Sequence, residues 1–243
     1  MRKIMTHIVA GYPSLNESEK TALMMANMGV DFIEIQIPFS DPIADGPVIM
    51  KANKEALKNG IKVSDCFSLM ERINEKTDTP LIFMTYFNIL HKYGVDKFCK
   101  KVREVGAYGL IVPDMPIDEE EAEGYLASCE KYGLNAIQVI SPITGKDRLK
   151  RIGEVARGFV YCVSSYGTTG AKDKLSVDLK KYLGRVREYV NLPLAVGFGI
   201  SKKSQIEAVH EVAEIAVIGS RIMTMISEGE NVEAELKDLF SKS

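Results

Sequence analysis

Short apolar runs alternate with amphipathic stretches along the whole of this chain, and no other property of the sequence limits its fold as much. Residues 4–10, 32–37, 81–85, 109–113, 136–140, 159–163, 194–196 and 215–218 read as eight strands. Helical patterns follow them over 17–28, 49–58, 64–73 (with Ser64 as cap), 95–105, 118–131, 146–156, 177–190 and 202–209, and a last helix runs to the terminus. The run Leu-Ile-Phe-Met-Thr after Pro80 is continuously apolar, as a parallel strand covered on both faces requires. A strand followed by a helix, repeated at roughly 25 to 30 residues, predicts a parallel sheet closed into a (β/α)8 barrel. The length of 243 residues suits one such domain over 1–243. An open doubly wound sheet is the rival, but Gly197-Phe198-Gly199 lacks a third glycine and comes late in the chain.

Composition removes several classes of function. A net charge of -2 leaves no basic field for nucleic acid or a lipid surface. No apolar run approaches the ~20 residues of a membrane helix, and residues 1–10 are too short for a signal peptide. Cys66, Cys99, Cys129 and Cys162 fall singly, which argues against a disulfide framework or a zinc cluster and fits a reducing cytoplasm. No metal site is expected.

One strand carries a charge where a barrel strand should not. Phe32, Glu34 and Gln36 alternate with Ile33, Ile35 and Ile37, so Glu34 lies on the face opposite the isoleucines. On a strand buried on both faces, a carboxyl kept from water is easier to protonate, and can then give a proton as well as take one. Pro38 ends the strand, and the proline-rich run to Pro47 is a shaped loop holding Asp41 and, beside Gly46, Asp45.

Barrel chemistry collects at the carboxyl ends of the strands. Gly197-Phe198-Gly199 after the seventh strand and Gly219-Ser220 after the eighth give backbone N–H groups close access to an anion, so a phosphate is expected there. After the sixth strand, the hydroxyl-rich loop 164–171 contains Thr169 and Gly170. Met84, Ile111, Tyr161 and Phe198 would form an apolar pocket for a ring. His7, on the first strand, reads as a packing ring in that pocket rather than a catalyst. No lysine projects inward from a strand, which argues against a Schiff-base aldolase and against pyridoxal phosphate held by this chain.

The run Glu34-Ile35-Gln36-Ile37-Pro38-Phe39-Ser40-Asp41-Pro42-Ile43-Ala44-Asp45-Gly46-Pro47 closely resembles the signature of the tryptophan synthase alpha subunit family. The resemblance extends from the first strand to the last helix. It implies cleavage of indole-3-glycerol phosphate to indole and glyceraldehyde 3-phosphate in tryptophan biosynthesis, with Glu34 and Asp45 as the catalytic pair. It implies phosphate contacts from Gly170, Phe198, Gly199, Gly219 and Ser220, and a contact of Thr169 with Asp45. It further implies docking of a pyridoxal-phosphate-dependent beta subunit beside Asp41, in an α2β2 assembly. The chain departs from the family at Gln36, where glycine is usual, at His7, where an aromatic residue is common, in the absence of an arginine from loop 164–171, and in having only three residues before the first strand. These departures keep open a related phosphate-binding barrel enzyme with another substrate, or a largely regulatory subunit.

Overall fold

The computed structural model describes residues 2–163, 172–197 and 199–240. In chain order the elements are β1 (Lys3–Val9), α1 (Leu15–Asn27), β2 (Phe32–Gln36), α2 (Pro47–Lys58), α3 (Val63–Asn74), β3 (Leu81–Met84), α4 (Phe87–Tyr93), α5 (Val95–Glu104), β4 (Gly109–Ile111) and α6 (Ile117–Ala122). They continue with α7 (Tyr125–Tyr132), β5 (Asn135–Ile140), α8 (Lys146–Val155), β6 (Val160–Val163), α9 (Lys172–Arg187), β7 (Leu194–Gly197), α10 (Lys203–His210), β8 (Ile215–Ile218), α11 (Ser220–Glu228) and α12 (Val232–Phe240). Each strand pairs in parallel with the next, and β8 returns to β1, so the sheet closes as a (β/α)8 barrel.

Two apolar layers follow from strand alternation. Outward residues such as Ile33, Ile35, Phe83, Leu110 and Val196 pack under the helices in one large core. Inward residues, among them Met5, Phe32, Ile82, Ile111, Phe159 and Val217, form a second core within the barrel. At its amino-terminal end Phe32 packs on Tyr108 and Phe159, with ring centroids 5.6 and 5.3 Å apart. Those rings fill the floor, and the open end of the barrel lies opposite.

The helices differ from the sequence reading in four places. The stretch between β3 and α5 contains the short helix α4. The single helix expected over 118–131 is two, α6 and α7, because Gly124 takes a left-handed φ of +69° between them. The last helix is likewise divided where Gly229 takes +69°. Ser64 is not the cap of α3: Lys62 is, and its N–H donates to the Asp65 carboxylate at 2.9 Å. As expected, the long gap between β2 and β3 holds both α2 and α3.

Candidate active site

All five residues of β2 are buried, and Glu34 and Gln36 point into the barrel while the isoleucines point out. Register places His7 of β1 beside Glu34, and the imidazole Nδ1 lies 3.2 Å from Glu34 Oε1. The other carboxylate oxygen, Oε2, is buried with no hydrogen-bond partner, as is His7 Nε2. An unpartnered carboxylate oxygen within a protein is costly, so Oε2 has hydrogen-bonding capacity that no side chain of the barrel satisfies.

The loop after β2 is pinned at both ends. The Phe39 N–H donates to Asn53 Oδ1 at 2.9 Å, and the Ala44 N–H donates to the Tyr86 hydroxyl at 3.1 Å. The Phe39 and Tyr86 rings stack at 5.0 Å. Asp45 is thereby carried over the barrel mouth, where Gln36 Nε2 donates to its Oδ2 at 2.6 Å and Asn53 Nδ2 approaches the same oxygen at 3.4 Å. The two carboxylates therefore hang on different supports: a histidine holds one and a pair of amides the other.

The charges respond to this packing. Burial lowers the affinity of His7 for a proton, but the adjoining Glu34 carboxylate outweighs it, and the imidazole lies above its ordinary value of 6.5. Burial raises Asp45 above the usual aspartate range, against the opposing effects of the Gln36 hydrogen bond and the charge of His7. Burial, then the charge of Asp45, raises the Tyr86 hydroxyl, so it stays protonated and can donate to Asp45.

One cavity of about 170 Å³ joins these groups. His7, Glu34 and Asp45 line it with Met84, Ile111 and Tyr161, which supply hydrocarbon and a ring, and with Gly199, Gly219 and Ser220. Gly219 directly precedes α11, whose first residue is Ser220, so the free N–H groups of a helix start border the cavity. The start of α10 is different: Gln205 Oε1 accepts the N–H groups of Ser201 and Lys202 at 2.8 and 3.0 Å. A Cβ at position 219 would stand 3.1 Å from the His7 side chain, tighter than a relaxed contact, and glycine avoids it.

The cavity thus gathers His7, Glu34, Asp45, Met84, Ile111, Tyr161, Gly199, Gly219 and Ser220 of the residues singled out in the sequence. Thr169, Gly170 and Phe198 lie outside the described residues. Asp41 is exposed on the loop, its carboxylate accepting from the Ser40 hydroxyl at 2.5 Å. His7 is more than the packing ring expected, because it bonds Glu34. Asn53 and Tyr86 escaped the sequence reading. A buried asparagine among the apolar residues of α2 was the available signal for the first, whereas Tyr86 meets the loop across 42 residues and left none. Asp114, at the end of β4, accepts the Phe87 N–H at the start of α4 at 2.9 Å.

A family model described as tryptophan synthase alpha chain matches residues 1–242. The tryptophan synthase alpha chain of Syntrophotalea carbinolica is 44% identical over 238 residues, covering 97% of this chain and 93% of the relative. That of Methanocaldococcus jannaschii is 42% identical over 231 residues, 95% of this chain and 81% of the relative. Among solved structures, tryptophan synthase from M. tuberculosis superposes with a TM-score of 0.89 at 30% identity, covering 98% of this chain and 91% of that one. The alpha subunit from Campylobacter jejuni gives 0.86 at 34% identity, with 98% and 94% covered.

Proposed function

Since this chain belongs to the tryptophan synthase alpha chain family, we propose that Glu34 and Asp45 are the residues through which it acts. The chain is a carbon–carbon lyase: it cleaves indole-3-glycerol phosphate to indole and glyceraldehyde 3-phosphate in tryptophan synthesis. The observation that carries the residue assignment is the cavity lined together by Glu34, whose Oε2 has no partner, by Asp45, by the apolar Met84, Ile111 and Tyr161, and by Gly199 and Gly219.

Glu34 Oε2 gives its proton to C3 of the indole ring, leaving an iminium within the substrate. The resulting carboxylate takes the proton of the side-chain hydroxyl, the C3–carbon bond breaks with its electrons returning to the ring, and the side chain leaves as the aldehyde. One proton leaves Glu34 and one returns, so a single carboxyl serves both transfers. Asp45 accepts the indole N–H and balances the charge that builds on that nitrogen. The substrate phosphate binds the backbone N–H groups around Gly199 and Gly219 and the Ser220 hydroxyl, with Thr169, Gly170 and Phe198 completing the site. The substrate itself stores the electrons, so no cofactor is needed in this chain.

The chain works in complex with a beta subunit. In this reading the beta subunit holds pyridoxal phosphate, the assembly is α2β2, and it operates in the cytoplasm. Asp41 and the exposed Ile43 stand on the same loop as Asp45, which supports docking there. No helix among the described residues is long and apolar enough to cross a membrane. The test is indole release from indole-3-glycerol phosphate by the purified chain, alone and with a tryptophan synthase beta subunit shown to bind it. Release that the beta chain raises at least about tenfold is expected, a coupling near ~1.4 kcal/mol. No release in either case overturns the reading.

A further inference from the structure

Two buried nitrogens and two buried oxygens are concentrated on the β1–β2 face of the cavity, and the reaction as written uses only one of the four. His7 Nδ1 is 3.2 Å from Glu34 Oε1, while His7 Nε2 and Glu34 Oε2 both lack partners. His7 is 7% exposed and Glu34 3%, so both groups are largely screened from bulk water. The groups that act on the ring come from separate elements, Glu34 and Gln36 from β2, Gly219 from the β8–α11 junction and Asp45 from the loop above, and Tyr161 of β6 and Ser220 line the same cavity. The charged groups that face His7 among these are carboxylates, Glu34 at contact and Asp45 beyond it. The backbone of Gly219 lies against the other side of the ring, close enough that a methyl group there would touch it.

From this geometry we propose that His7 is a positioning residue for the lyase reaction: its Nδ1–H holds Oε1 of Glu34 so that Oε2 alone faces the substrate, and its ring stores the proton that the pair must carry when Glu34 is ionised. The proposal rests on the assignment of Glu34 as the acid and base. It follows from counting protons. With Nδ1–H donating to Oε1, one further proton makes the pair neutral, and that proton has two sites on the cavity, Oε2 and Nε2. On Oε2 it is ready for C3 of the substrate. On Nε2 it gives an imidazolium beside a carboxylate, and a proton there also supplies a donor on the side of Gln36, whose Oε1 is buried without one. Both forms hold the same number of protons, so the site retains its proton at a pH where a carboxyl alone would have lost it. The excess negative charge of Glu34 and Asp45 is what binds the proton to the ring.

The sign of the pH dependence is then determined. Activity requires the pair's proton, and that proton is kept until pH rises through the titration of His7, which Glu34 holds above its ordinary position. Replacing the imidazole by a donor that cannot titrate removes one of the two sites for the proton, and activity falls away at lower pH.

The experiment compares the full chain with H7N, H7F and E34Q, measuring kcat and KM for indole release from indole-3-glycerol phosphate between about pH 5 and 9, with the ring nitrogens of His7 followed by NMR. The H7N side chain places an amide near the position of Nδ1, so this variant is expected to come nearest the unmodified kcat at about pH 5 and to fall about tenfold or more below it at about pH 8, with KM within about twofold. H7F, which has no donor, is expected to lose kcat across the whole range. In E34Q the ring should titrate at lower pH than in the unmodified chain, a result that needs no activity. An H7N profile that superimposes on that of the unmodified chain overturns the proposal, and so does a His7 titration that E34Q leaves in place. Full activity in E34Q would instead overturn the assignment of Glu34, so the two failures are told apart.

Discussion

Two glutamates are buried at the barrel wall, and they lie on opposite sides of it. Glu34 points inward from β2 and shares one oxygen with His7 while the other has no partner. Glu120 sits on α6 outside the wall, where Gln138 of β5 donates through Nε2 to both of its oxygens at 2.9 and 2.8 Å. The two are equally buried, at 3% exposure each. Burial alone therefore does not mark a catalytic carboxyl. What differs is the surplus: Glu120 uses its oxygens on its own support, whereas Glu34 has one left over and a cavity in front of it.

The largest expected effect tests that surplus. Glu34→Gln keeps the shape and removes the transferable proton, so indole release should fall by about 10³-fold or more while thermal stability stays close to the unmodified chain. Kinetics and calorimetry on the same sample decide it. Activity within about tenfold of the unmodified chain would falsify the assignment.

Glu120→Gln should do the reverse. Burial raises Glu120 from 4.5 to about 7, against the Gln138 hydrogen bonds, so its folded state binds a proton more tightly than its unfolded state. The stability this contributes is full below its ordinary titration and is lost as pH rises through about 7. A shift of that size corresponds to about 3 kcal/mol, which is the upper limit of what Glu120→Gln gains near ~pH 8 over the unmodified chain. Denaturant unfolding near ~pH 4 and ~pH 8 measures it, with turnover unchanged within about twofold. A turnover loss as large as that of Glu34→Gln would end the contrast between the two regions.

Asp45→Asn comes next, with an expected loss in kcat of about 30-fold, since the amide can still accept the indole N–H but cannot balance charge. If only KM rises, Asp45 is a binding group.

Much of this contrast is legible in the sequence, and the part that is not has a physical reason. Strand period places Glu34 and Gln36 on the face opposite the isoleucines, and the order of strands gives the barrel, but which face is inward comes from the packing. Gly219 and Ser220 are found from position at the end of β8. The partners are harder. His7 and Glu34 meet through strand register, Asn53 reaches back from α2 to Phe39, and Tyr86 comes from beyond β3, none of which any local pattern encodes. The helix breaks at Gly124 and Gly229 stay hidden because glycine within a polar helical pattern is ambiguous until its φ is known.

The smallest effects come from the two glutamines, and they sharpen the comparison most. Gln36 and Gln138 each stand on a barrel strand and each donates through Nε2 to a carboxylate, but Gln36 points into the barrel and Gln138 toward the helices. Gln36→Leu removes the 2.6 Å bond to Asp45, leaving Asn53 at 3.4 Å and the Tyr86 hydroxyl to hold it. Because two supports remain, a loss in kcat of about tenfold is expected, near ~1.4 kcal/mol and at the lower end for a hydrogen bond to a charged group. Gln138→Leu removes both donors of Glu120, which then avoids ionising without partners by staying protonated to higher pH. Its cost should appear in stability above about pH 7, and its kcat should stay within about twofold. If instead Gln36→Leu lowers stability and spares kcat, Gln36 is a structural tether like Gln138, and the amide of β2 has no part in placing Asp45 for the reaction.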